Sequence, residues 1–138
     1  AMAPPGRLSG IVAVSTGGAH SCAVDRQAGA VWCWGEGSHG QLGHGRATGS
    51  DSHVRALGLV GASQVSAGGL HSCAVEAGGA TKCWGAGRHG QLGHGGLSSR
   101  SEPHYVPRLG PAADVSAGGS HTCGLEQGGA VRCWGWGE

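Results

Sequence analysis

One block of residues, met three times, does most to decide what this chain can fold into. Ser15-Thr16-Gly17-Gly18-Ala19-His20-Ser21-Cys22-Ala23-Val24 returns as Ser66-Ala67-Gly68-Gly69-Leu70-His71-Ser72-Cys73-Ala74-Val75, and again as Ser116-Ala117-Gly118-Gly119-Ser120-His121-Thr122-Cys123-Gly124-Leu125. The shared His20, His71 and His121 lie 51 and 50 positions apart. A second block follows each time: Val31-Trp32-Cys33-Trp34-Gly35, Thr81-Lys82-Cys83-Trp84-Gly85 and Val131-Arg132-Cys133-Trp134-Gly135. A third block, Ser38-His39-Gly40-Gln41-Leu42-Gly43-His44-Gly45, returns once, as Arg88-His89-Gly90-Gln91-Leu92-Gly93-His94-Gly95. A period near 50 residues marks a solenoid, a propeller or an array, in which each unit buries its apolar face only against its neighbours.

The local pattern separates strand from helix. Ser72-Cys73-Ala74-Val75 and Ala80-Thr81-Lys82-Cys83-Trp84 are short, rich in strand formers and split by Glu76-Ala77-Gly78-Gly79. This pattern predicts a hairpin. Ala62–Ser66 and Ala112–Ser116 read as a preceding strand, and His53–Leu57 and His104–Arg108 as a fourth. Pro107 confines that fourth strand to an edge, because proline has no N–H for an interior ladder. No segment keeps a 3.6-residue apolar period. Four short strands per unit predict an all-β fold, a β-propeller of four-stranded antiparallel blades with nearly three blade repeats. The 31 Gly fall in clusters with only 5 Pro, unlike collagen, and suit tight turns between short strands.

The order Gly-Gly-x-His-[Ser/Thr]-Cys-[Ala/Gly]-[Val/Leu], then Cys-Trp-Gly, then Gly-Gln-Leu-Gly-His-Gly resembles the regulator of chromosome condensation repeat family. The resemblance spans essentially the chain after Pro5. It implies a β-propeller, commonly of seven blades in that family. The founding member promotes nucleotide exchange on a small GTPase and binds chromatin; neither role is carried over, because a fold does not specify a function.

Residues 1–6 read as a flexible lead-in and 7–138 as tandem repeats, with repeat cores near 15–45, 66–95 and 116–138. The start, Ala1-Met2-Ala3-Pro4-Pro5, is no signal peptide. Fewer than three blades cannot close a normal ring, and open flanks invite association. Three readings stay open: a fragment of a longer propeller, a natural or engineered unit assembling head to tail with itself into a closed ring, or an isolated arc. The expected partners are therefore another copy, other propeller blades or an unknown protein. A formal charge of +1 gives no basic footprint for nucleic acid, and no apolar run is long enough to span a membrane.

The six cysteines are paired within repeats: Cys22 with Cys33, Cys73 with Cys83, Cys123 with Cys133. Each pair flanks the same turn, where facing positions on antiparallel strands reach disulfide distance. Disulfides imply an oxidising, for example extracellular, compartment. Two other readings remain: small buried thiols, or His-x-Cys metal sets such as His71, Cys73 and Cys83. The repeating histidines read as structural, with a pH-sensitive ring of them as the alternative; His53 and His104 read as solvated. Trp34, Trp84 and Trp134 read as blade-to-blade packing groups. Trp32 and Trp136 break the repeat and are the candidate partner contacts. No nucleophile with a base beside it is present, so the chain reads as a non-enzymatic scaffold with no cofactor. The loops that differ most, Arg46–Asp51 and Gly96–Glu102, are where specificity is expected.

Overall fold

A computed structural model describes residues 8–136; the lead-in expected over residues 1–6 lies outside the described residues. Eleven strands form three antiparallel sheets in chain order. The first blade is β1 (Ile11–Thr16), β2 (His20–Asp25), β3 (Val31–Gly35) and β4 (Ser50–Arg55). The second is β5 (Ala62–Ala67), β6 (His71–Glu76), β7 (Thr81–Gly85) and β8 (Arg100–Tyr105). The third, among the described residues, is β9 (Ala112–Ala117), β10 (His121–Glu126) and β11 (Val131–Gly135). Each sheet is a simple meander, with β1, β5 and β9 innermost and packed in sequence against one another.

Position in the stack, rather than composition, sets burial. In β6 every residue of His71-Ser72-Cys73-Ala74-Val75-Glu76 is buried, because blades cover both faces of the middle sheet. The near-identical β10 alternates between buried and exposed, because only one face is covered. Two apolar clusters fill the two blade interfaces. Val24, Val31 and Leu42 of the first blade pack against Val65, Ala74 and Trp84 of the second. Val75, Leu92 and Val106 of the second then meet Val115 and Trp134 of the third.

The fourth strand lies earlier than its sequence pattern suggests. It covers Ser50–Arg55 and Arg100–Tyr105 instead of 53–57 and 104–108. The register explains the shift. Cys33 faces Val54 but Gly35 faces Ser50, so the strand bulges and reaches back toward the loop. At its other end Ala56 N–H still donates to Val31 O, while Leu57 N–H has turned away to Gly43 O. Pro107 therefore lies beyond β8, and Pro103 sits within it. Pro103 falls in the bulged stretch of an edge strand, where no ladder donor is needed. The described residues contain no helix long and apolar enough to cross a membrane.

Candidate functional site

The repeated polar residues join each blade to the next. His20 Nε2 lies 2.8 Å from Ser72 Oγ, and Ser72 Oγ donates to Gln41 O at 2.8 Å. Trp84 Nε1 donates to the same carbonyl at 2.9 Å. The second interface repeats the arrangement one unit on. His71 Nε2 meets Thr122 Oγ1 at 2.8 Å, and Gln91 O accepts from Thr122 at 2.7 Å and from Trp134 at 2.9 Å. A hydroxyl has one proton, and here it goes to the glutamine carbonyl. The histidine must therefore donate from Nε2, which fixes its tautomer and leaves Nδ1 bare. Nδ1 of both His20 and His71 is indeed buried without a partner. The backbone closes the same seam: Gly18 N–H donates to Gly68 O and Gly69 N–H to Gly118 O. Gly43, at φ +77°, lets the loop carrying Gln41 press onto Trp84; a Cβ there would come 2.7 Å from the indole nitrogen.

Burial holds His20 and His71 well below the ordinary histidine range, at about 4. Their folded forms stay neutral where an unfolded chain, titrating near 6.5, binds protons. Stability contributed by the neutral rings is full above pH 6.5, is lost as pH falls from 6.5 toward 4, and changes no further below that. The loss expected is on the order of 3 kcal/mol per ring. Urea midpoints should hold between pH 7.5 and 6.5 and fall from there to pH 4.5, and His71→Gln should flatten that fall. An unchanged slope in that variant would contradict the assignment.

The cysteines of each pair face one another directly across the hairpin, with Cα–Cα distances of 4.1, 4.0 and 4.0 Å and sulfurs at disulfide distance. These short separations are those of non-hydrogen-bonded antiparallel positions. Cys22, Cys33, Cys73 and Cys83 are fully buried, whereas Cys133 is exposed. Stepwise reduction with alkylation should therefore label Cys123 and Cys133 first; simultaneous labelling of Cys73 and Cys83 would contradict this. The His-x-Cys sets do not converge. His71 reaches into the next blade while Cys73 faces Cys83, and no group of three or more His, Cys, Asp or Glu among the described residues could hold a metal ion.

Trp32 and Trp136 fall on different blades and have different neighbours. Trp32 is half-buried, donates from Nε1 to Asp25 Oδ2 at 3.1 Å and meets His53 edge-on at 5.2 Å. Asp25 is held below the usual carboxylate range, first by Ala28 N–H and then by that indole. His53 is thus packed and part-buried rather than solvated, whereas His104 is exposed. Trp136 is 53% exposed and stacks on His89 at 4.9 Å. Loop residues 46–49 and 96–99 are exposed. Reading the sequence missed the relay through Gln41 and Gln91. Its signal was the Ser or Thr that follows every block histidine.

The two outer blade faces expose apolar residues whose counterparts are buried between blades. Val14 is 66% exposed, whereas its equivalents Val65 and Val115 are 9% and 5% exposed within the stack. Trp34 is half-buried where Trp84 is fully buried. On the far face Val131 is 64% and Leu125 38% exposed, against 0% for Val31 and 2% for Val75.

Comparison with known proteins places this geometry. A model of the Regulator of chromosome condensation (RCC1) repeat matches residues 28–75 and 83–125, and a second model of that repeat matches 11–41 and 62–91. A stretch of 68 residues is 43% identical to the Probable E3 ubiquitin-protein ligase HERC6 of Homo sapiens, covering 47% of this chain and 7% of that protein. The structure of human WBSCR16 superimposes with a TM-score of 0.83 at 27% identity, over 95% of this chain and 34% of that one. Yeast RCC1 (Prp20), solved with Kap60, superimposes at 0.81 and 21% identity, over 93% of this chain and 32% of that one, and shows the likeness of fold alone. The chain thus spans about a third of these solved propellers and a small part of the curated relative.

Proposed function

Because the chain belongs to the Regulator of chromosome condensation (RCC1) repeat family, we propose that it is a protein-binding propeller scaffold without catalytic chemistry of its own, and that its two outer blade faces join head to tail into a closed ring. One observation carries the assembly. Positions buried between blades are exposed or half-buried at the two ends of the stack. Val14, Trp34 and Ser21 stand where Val65, Trp84 and Ser72 meet the preceding blade. Leu125, Val131 and Cys133 stand where Val75, Thr81 and Cys83 meet the following one. The two faces are therefore a heterologous pair, of the kind that closes a ring when its rotation allows. Exposed apolar surface of this sort favours association.

For the protein-binding half, yeast RCC1 (Prp20), which this chain resembles in fold, was solved bound to Kap60 and studied for its binding to Gsp1p and histones. A second reading, the chain as a fragment of a longer propeller, is favoured by its covering only 34% of human WBSCR16. Trp32 and Trp136 remain the proposed partner contacts. The tandem repeats over 7–138 are the proposed unit.

Val14→Glu and Val131→Glu test the assembly. Both sites are exposed in the single chain, so each variant should keep its far-ultraviolet spectrum. Sedimentation velocity should show each variant at single-chain mass, because a buried unpaired carboxylate is costly. An assembly unchanged in both variants would refute the face-to-face contact.

A further inference from the structure

Lys82 is the only lysine in the chain, and it is buried. On β7 it lies between Ala74 of β6 and Tyr105 of β8. Its Nζ sits 2.9 Å from Glu76 Oε2, donates to Gly58 O at 2.6 Å and lies 4.3 Å from the centroid of the Tyr105 ring. An ammonium offers three protons; a carboxylate, a carbonyl and an aromatic face meet it here. Glu76 Oε2 also accepts from Val60 N–H at 2.8 Å. The Lys82 and Glu76 side chains are 8% and 7% exposed. All these contacts lie within or between the first two blades, each of which has its four strands.

A buried ion pair adds little to stability, because removing two charges from water offsets their attraction; its best-attested use is to fix one arrangement over others. Here the arrangement is that of the linker between the blades, residues 56–61, which supplies both Gly58 O and Val60 N–H. Gly58, at φ +72°, takes a left-handed turn that a side chain would strain. The acid's grip recurs one joint on, where Glu126 Oε2 accepts from Gly110 N–H at 2.9 Å. The linker in turn holds a loop. Leu57 N–H donates to Gly43 O at 2.9 Å, and two residues on Gly45 N–H donates to Ser101 O of β8 at 3.0 Å. The exposed residues 46–49 follow directly. A continuous run of contacts leads from the buried pair to the loop in which specificity is expected.

We propose that Glu76 and Lys82 are positioning residues, a buried lock on the linker that seats loop 46–49 of the first blade against the second. The lock needs neither ring closure nor a partner; only the loop's use in binding rests on the reading above.

Amide hydrogen exchange on the whole chain, compared with Lys82→Met, tests the lock without any partner. Methionine keeps the length and apolar bulk of the side chain, so the urea midpoint should move little. The amides of Gly45, Leu57 and Val60 should exchange about tenfold faster or more. Those of Gly18 and Gly69, which bond across the two blade interfaces, should keep their rates. Because Lys82 carries the only side-chain amine, an amine-acylating reagent with peptide mapping reads the lock in the unmodified chain. Lys82 should react about a hundredfold more slowly than free lysine. Glu76→Gln leaves the cation without its counter-charge and should restore much of that reactivity. Unchanged exchange at Leu57 and Val60 in Lys82→Met, or faster linker exchange that leaves Gly45 as it was, overturns the proposal. So does equal acceleration of the linker and interface amides, which would make the pair a general stabiliser. Reaction of the unmodified chain at the free-lysine rate, or an equally protected amine in Glu76→Gln, overturns it as well.

Discussion

Complete reduction of the chain is expected to abolish its native fold. The three cysteine pairs, if bonded, close loops with sequence separations of 11, 10 and 10 residues. A bridge across a loop of that size restricts the unfolded chain by about 3 kcal/mol. Three such bridges together approach the whole stability of a typical domain, about 5–15 kcal/mol. This chain has little else to draw on. It has no Phe, 31 Gly, and cores built from Val, Leu, Ala and a few Trp. Thermal melts followed by circular dichroism should show a cooperative transition without reductant and none after full reduction. A thiol assay in denaturant should count none before reduction and six after. Six free thiols at the outset, or an unchanged melt after reduction, would remove the bridges from the account.

Trp84→Ala is expected to be the most damaging single substitution, at about 3–5 kcal/mol. Trp84 is fully buried between the first two blades and gives Gln41 O one of its two hydrogen bonds. Ser72 still serves that carbonyl in the variant, so the loss comes chiefly from the cavity. Trp34→Ala makes the control, because it alters the same repeat position on an outer face. Half-buried in the single chain, Trp34 should cost about 1–2 kcal/mol when removed. It should instead weaken self-association, where Trp34 takes the role that Trp84 has inside. Urea unfolding at two protein concentrations separates stability from association. Equal losses for the two variants would show that the blade interfaces do not dominate stability.

How much of this was legible in the sequence depended on how far apart the interacting residues are. The hairpins could be read because Cys73, Cys83 and the Gly-containing turn between them are local. The blades could be read because three copies of one block must do the same backbone work. The bounds of the fourth strand could not. A bulge opposite Trp34 and Trp84 moved it several residues toward the loop, and bulges leave no mark in a short polar stretch such as Ser50-Asp51-Ser52. The relay was hidden for another reason. Gln41, Ser72 and Trp84 belong to two different repeats, and no periodicity within one repeat shows that they meet. The packing of His53 was hidden because the Trp32 it meets has no counterpart in the other repeats.

The most direct test of the head-to-tail account is the solution mass of the unmodified chain, by light scattering after size-exclusion chromatography at several concentrations. The account predicts one discrete closed species, a dimer or trimer of the 13.6 kDa chain, holding its mass on dilution. A single-chain mass at every concentration would contradict it, and would mean that the two exposed faces do not pair with one another.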